Sequence, residues 1–200
     1  MKKIHVYSDF VCPYCLLADK ILTPVAEEEN AEIVWHPFEL RPDPVPTLKV
    51  EDPYLPSIWE RSVYPMAKRL GQPIRLPSTS PQPRSELAFQ GFAFAQDHNL
   101  GHAYTMRIFE AFFVEDCDIG DIDVIVEAGV SSGLYGDLLR RSLQEGNYRQ
   151  QHAEALRHAT KDVKVQSVPT IIIGETRIEG VPDAEQMRRA LWNSHSEETA

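Results

Sequence analysis

The sequence predicts an α/β chain in which a β-α-β unit at the front and a β-β-α unit at the back frame a helical middle. Three observations carry this prediction. Ile4 and Val6 alternate with polar residues before a helical pattern begins at Pro13, and a second β-rich run follows at Ile33-Val34-Trp35. Near the other end, Thr170-Ile171-Ile172-Ile173 and Thr176-Arg177-Ile178 flank Gly174-Glu175, the pattern of a hairpin. Between these ends, apolar residues recur at helical spacing and are punctuated by Gly and Pro.

Taken in order, Lys3 to Tyr7 reads as a strand and Pro13 to about Glu29 as a helix with Leu16, Leu17, Ile21, Leu22 and Val25 on one broad face. Pro24 is expected to kink that helix. Glu32 to Phe38 reads as a second strand, parallel to the first because a helix separates them, which closes a right-handed βαβ unit. Pro37, Pro42, Pro44 and Pro46 then break regular structure, so Arg41 to about Pro53 is expected to leave the sheet as an irregular connection. A helix from about Ser57 to Leu70 precedes an extended loop rich in Pro. A second begins near Pro83, contains Leu87, Phe89, Phe92 and Phe94, and ends around His98-Asn99. Tyr104, Ile108, Phe109, Phe112 and Phe113 outline a third, and this aromatic stripe is expected to be core. Asp121 to Ala128, Tyr135 to Arg141 and Gly146 to Thr160 suggest three more. The polar stretch from Tyr148 to Lys161 is expected to present a wide solvated face, with His152 and His158 pointing at solvent. Asp183 should cap a final helix through about Trp192, followed by a disordered tail from Ser194 to Ala200.

The composition bounds the function. With 200 residues and 42% hydrophobic content, the chain can bury one sizeable core. Lys and Arg number 20 against 30 Asp and Glu, a net charge of −10, which argues against nucleic-acid binding by phosphate neutralisation and against acidic membranes. There is also no apolar run of about 18 residues to span a bilayer. Lys2-Lys3 is followed at once by Ile4-His5-Val6-Tyr7-Ser8-Asp9, without the apolar core or cleavage site of a secretory signal, so a cytoplasmic location is expected. Thiols there are mostly reduced, and a closely spaced cysteine pair is more plausibly catalytic than structural.

Such a pair stands at Asp9-Phe10-Val11-Cys12-Pro13-Tyr14-Cys15, where strand gives way to helix. Pro13 suits a first helical turn because it has no N–H to leave unpaired and its φ is already helical. The first N–H groups of that helix would aim at Cys12, where the helix dipole favours thiolate, making Cys12 the expected nucleophile. Cys15 lies one turn further along the same face, within reach of a mixed disulfide formed at Cys12. Two plainer readings are half of a zinc site and a pair of inert thiols. Zinc needs two further ligands, and the remaining cysteine, Cys117, has no compact His pair beside it. Weaker candidates are Glu39, as a buried acceptor of the Cys15 proton or a surface loop carboxylate, and Tyr14, between the thiols. His5 and His36 read as simple strand residues. Cys117 sits within Glu115-Asp116-Cys117-Asp118, where neighbouring carboxylates should raise its pKa and dull it.

From Ser8-Asp9-Phe10-Val11-Cys12-Pro13-Tyr14-Cys15, Val168-Pro169-Thr170 ahead of Ile171-Ile172-Ile173, and Ile178-Glu179-Gly180 ahead of the last helix, the chain resembles the thioredoxin superfamily. Within it, the resemblance is to DsbA-like disulfide oxidoreductases, especially the FrnE-like branch. This implies a thioredoxin-like domain over residues 1–50 and 162–200, interrupted by an all-helical insertion over residues 51–161. It further implies a cis Val168–Pro169 bond facing the thiols, where an ordinary proline opening an edge strand would be trans. By the same resemblance Val168 and Pro169, with Pro13 and Tyr14, contact extended substrate, and the proline loop keeps metal from the sulfurs. The implied activity is exchange with disulfides of proteins or small molecules, with no tightly bound cofactor. Glutathione is a reasonable recycling thiol, since Cys-Pro-Tyr-Cys also occurs in glutaredoxins. Relatives with such an insertion include kappa-class glutathione transferases and 2-hydroxychromene-2-carboxylate isomerases, which usually carry serine near the position of Cys12 and lack the second thiol. A third reading is a noncatalytic dithiol sensor.

Overall fold

A computed structural model describes residues 2–197. Its sheet has the order β2-β1-β3-β4. β1 (Lys2–Ser8) and β2 (Ala31–Pro37) run parallel, with Ile4 opposite Ile33 and Val6 opposite Trp35. A parallel pair needs a crossover, which α1 (Pro13–Glu28) supplies. α1 continues through Pro24; the Lys20 carbonyl that loses its donor there belongs to an exposed residue, where water can meet it. β3 (Thr170–Ile173) and β4 (Thr176–Glu179) form the expected hairpin, and β3 adds antiparallel to β1 through Val6 and Ile171.

The segment between β2 and β3 is helical. α2 (Tyr54–Ile58), a π-helical turn (Trp59–Val63) and α3 (Tyr64–Leu70) follow one another without leaving helical backbone, starting a few residues before the expected Ser57. The wide turn has a local cause: Pro65 offers no N–H to the Arg61 carbonyl, and its ring would collide with an ordinary turn. α4 (Glu86–Asp97) and α5 (Gly101–Phe113) then pack as a pair, followed by α6 (Ile122–Ser131), α7 (Gly136–Glu145), α8 (Arg149–Arg157) and a second π-helical turn (His158–Asp162). α9 (Ala184–Glu197) is capped as expected by Asp183, whose Oδ1 accepts from the N–H groups of Glu185 at 2.9 Å and Gln186 at 3.1 Å. The expected disordered tail is corrected in part: the helix continues past Ser194 to Glu197, and the last three residues lie outside the described ones.

One contiguous core joins sheet and helices. The aromatic stripe is core: Phe109, Phe112 and Phe113 are fully buried, and Trp35 of β2 meets Phe109 edge-on. Phe10 stacks on Phe89 with ring centres 4.4 Å apart, which ties the turn before α1 to α4. The wide solvated face expected for α8 is present, with Arg149, Gln150, Gln151, Ala153, Glu154 and Arg157 exposed, but the expectation for His152 is corrected. α8 packs against β2 and α4, and His152 is 4% exposed and points inward, whereas His158 is exposed as expected.

The α4–α5 pair depends on close approach at Gly91. A Cβ there would fall on the hydroxyl of Tyr104, a fully buried side chain whose Oη donates to the Ala88 carbonyl at 2.8 Å. Gly91→Ala should therefore destabilise the protein by about 1–3 kcal/mol in urea unfolding despite alanine's better helix propensity. Unchanged or increased stability would show that the two helices are not held at this distance.

Candidate active site at the head of the first helix

The turn Asp9 to Cys12 is closed by the Cys12 N–H donating to the Asp9 carbonyl at 3.0 Å, and Cys15 N–H donates to the Cys12 carbonyl at 3.1 Å. Cys12 is the N-cap of α1, with extended backbone (φ −95°, ψ 111°), and Pro13 fills the first turn. Both cysteines are free thiols; Cys12 is 4% exposed and Cys15 is fully buried. The sulfur of Cys12 donates to the carbonyl oxygen of Val168 at 3.4 Å, and the Val168–Pro169 bond is cis. Gly180 N–H donates to the Pro169 carbonyl at 2.8 Å, pinning the loop to the end of β4. Cys12, Pro13, Cys15, Val168 and Pro169 thus come together from opposite ends of the chain. Tyr14 is half-buried, and its hydroxyl donates to Ser62 Oγ in the π-helical turn at 2.6 Å.

Electrostatics differ sharply across this small region. Burial pushes the Cys15 thiol well above its ordinary value, and the neighbouring Cys12 thiol adds to the rise. The Ser8 hydroxyl and the Asp9 N–H act in the opposite direction. Asp9, 1% exposed, is raised from 3.8 to about 6, first by burial and in small part by Glu39; Ser85 and the N–H groups of Leu40 and Val11 oppose the rise. Those amides donate to the Asp9 carboxylate at 2.7 Å and 3.4 Å. Asp9 stands in the sequence motif, but the residue pattern assigns it no role. The available signal was a carboxylate directly before an apolar pair at a strand end, where the chain is expected to turn inward.

Glu39 is buried, not on a surface loop. Its Oε1 lies 2.6 Å from Nε2 of His152, both side chains are almost fully enclosed, and the imidazole stacks on Phe89. His5 and His36 pair across β1 and β2 at 2.9 Å, and burial, followed by His5 and His158, lowers His36 to about 4. Burial and Glu115 push the Cys117 thiol up, and it stands on the segment after α5 with its sulfur against the Glu115 carbonyl. Among the described residues no group of three or more His, Cys, Asp or Glu side chains is suited to holding a metal, and no helix is long and apolar enough to cross a membrane.

The buried Asp9 gives a pH signature. An acid raised on folding binds more protons folded than unfolded between 3.8 and about 6, so its contribution is most favourable below that window and is lost as pH rises through it. The unfolding free energy of wild type relative to Asp9→Asn should fall across the window by up to about 3 kcal/mol. A pH-independent difference in chemical denaturation would show that Asp9 ionises as on a free peptide.

Comparison with known proteins places this geometry in context. The family model of the DSBA-like thioredoxin domain matches residues 3–192. The Bacillus subtilis (strain 168) protein called uncharacterized protein YwbO is 41% identical over 189 residues, covering 94% of each chain. The fold is similar to that of the probable DsbA oxidoreductase SCO1869 from Streptomyces coelicolor (TM-score 0.80, 18% identity, 98% of this chain and 91% of that one). It is also similar to a 2-hydroxychromene-2-carboxylate isomerase (TM-score 0.79, 17% identity, 98% of both chains). With a family match over nearly its whole length and these structural neighbours, the chain belongs to the DSBA-like thioredoxin domain family.

Proposed function

We propose that the protein is a thiol–disulfide oxidoreductase in which Cys12 exchanges with a substrate disulfide and Cys15 completes the exchange. The observation that carries this reading is the position of Cys12: N-cap of α1, its sulfur against the Val168 carbonyl, with Cys15 buried one turn behind. The Cys12 thiolate attacks one sulfur of the substrate; the substrate S–S bond breaks, and the departing sulfur takes up a proton. Cys15 then loses its proton and attacks the Cys12 sulfur, releasing the second substrate thiol and leaving a Cys12–Cys15 disulfide. Two electrons pass to the substrate, and the reverse sequence inserts a disulfide. When Cys12 is engaged with substrate its hydrogen bond to Val168 is given up, and that carbonyl becomes an acceptor for an extended peptide lying beside Pro169, with Pro13 and Tyr14 at the rim. In a reducing compartment such as the cytoplasm, a glutathione-type thiol would recycle the pair.

The likeness in fold to a 2-hydroxychromene-2-carboxylate isomerase supports a second reading, a glutathione-dependent isomerase or transferase that needs only the first position of the pair. Cysteine substitution separates the two. In insulin reduction, Cys12→Ser should lower the rate at least about 100-fold because the attacking sulfur is gone, and Cys15→Ser should accumulate a mixed disulfide on Cys12 visible by mass. Equal rates for all three proteins would overturn the dithiol reading, and glutathione-dependent isomerisation that survives Cys15→Ser would favour the second. The reduction potential of the Cys12–Cys15 bond then gives the working direction.

A further inference from the structure

A cavity of about 60 Å³ opens beside the turn that carries Cys12. It is lined by Val11, the residue before Cys12, by the apolar Leu48 and Leu55, and by the polar Arg41, Arg84, Ser85 and Asp9. In a chain of net charge −10, two half-buried guanidinium groups meeting at one small cavity are an exception to the prevailing sign. Their existing partners leave donors unused. Arg84 gives one N–H to the Arg41 carbonyl at 2.8 Å and faces the exposed carboxylate of Asp43 at 3.4 Å, a long contact open to solvent. Arg41 gives one N–H to the Pro46 carbonyl at 3.3 Å and has no carboxylate within 4 Å among the described residues. The Asp9 carboxylate already receives the N–H groups of Leu40 and Val11. A guanidinium presents several N–H donors in a planar fork matched to a carboxylate.

We propose that this cavity is the recognition site for the anionic arm of a low-molecular-weight disulfide: Arg41 and Arg84 bind a carboxylate on a short apolar chain while the attached sulfur reaches Cys12. Val11 lines the cavity and precedes Cys12 in the chain, which places the cavity beside the turn that carries the sulfur. The inference rests on the dithiol reading given above and narrows its substrate class. In the step concerned the pre-reduced Cys12–Cys15 pair supplies two electrons, the substrate S–S bond breaks, a Cys12–Cys15 bond forms, and two carboxylate-bearing thiols leave with one proton each; a single turnover needs no further reductant.

The test is single-turnover oxidation of the reduced protein by three disulfides of similar size: dithiodipropionate with two carboxylates, bis(hydroxyethyl) disulfide without charge, and cystamine with two ammonium groups. Each rate is divided by that of the same disulfide with dithiothreitol, which removes intrinsic reactivity. The normalised rate for dithiodipropionate should exceed that for the neutral compound by about tenfold or more, with cystamine slowest. High salt should shrink this preference. Arg41→Gln and Arg84→Gln should each reduce the ratio of anionic to neutral rates several-fold. Because Arg84→Gln also removes a bond to the Arg41 carbonyl, the three-compound ranking in the unaltered protein decides the matter if that variant fails to fold. Equal normalised rates, or a preference for cystamine, would overturn the assignment while leaving the dithiol chemistry standing. Failure of all three disulfides and of insulin to oxidise the protein would remove the dithiol reading and this inference with it.

Discussion

The contact between the Cys12 sulfur and the Val168 carbonyl is the constraint on which the site depends. It joins positions 156 residues apart, and neither partner has the geometry to make it alone. Cys12 is brought there because β1 ends at Ser8, the chain turns through Asp9 to Val11, and Pro13 starts a helix whose first turn must face outward from the sheet. Val168 arrives because β3 pairs with β1 through His5, Val6 and Tyr7, fixing where the preceding loop must cross. The strand pairing therefore determines what the Cys12 sulfur faces, and a shift in register would turn every β3 side chain to the other side of the sheet.

The two thiols are made unequal by their surroundings and not by their own chemistry. Cys12 stands at the N-cap of α1 with its sulfur against the Val168 carbonyl. Cys15, one turn inside, is walled off by the core, and burial disfavours its charged form. In the exchange proposed above, a mixed disulfide at Cys12 would have a second sulfur close by whose thiol form burial favours. The same burial acts on Asp9, so an acid with a raised value and a thiol with a raised value flank Cys12, one in the turn before it and one in the helix after it.

Much of this was legible in the sequence. The βαβ and hairpin elements follow from short β-branched runs and their turn residues, and the cysteine pair from its spacing at a strand–helix junction. The aromatic stripe from Phe89 to Phe113 read correctly as core because its spacing matches a helix with one buried face. What remained hidden were features set by tertiary contact. Pattern gave His152 to solvent because its neighbours in the chain are polar, yet its burial depends on Glu39 and Phe89, which lie on other elements. The π-helical turn at Trp59–Val63 is a backbone response to one proline, and side-chain periodicity does not report it. Asp9 looks like an ordinary turn residue until Leu40 and Ser85 close over it.

The enclosed Glu39–His152 contact has a mechanical consequence. It couples the segment after β2 to α8, and lifting that helix from the sheet must break a 2.6 Å contact between two almost fully enclosed side chains. α8 is thus latched to the sheet edge. A movement that swings this helix away from the sheet has to part those two side chains first.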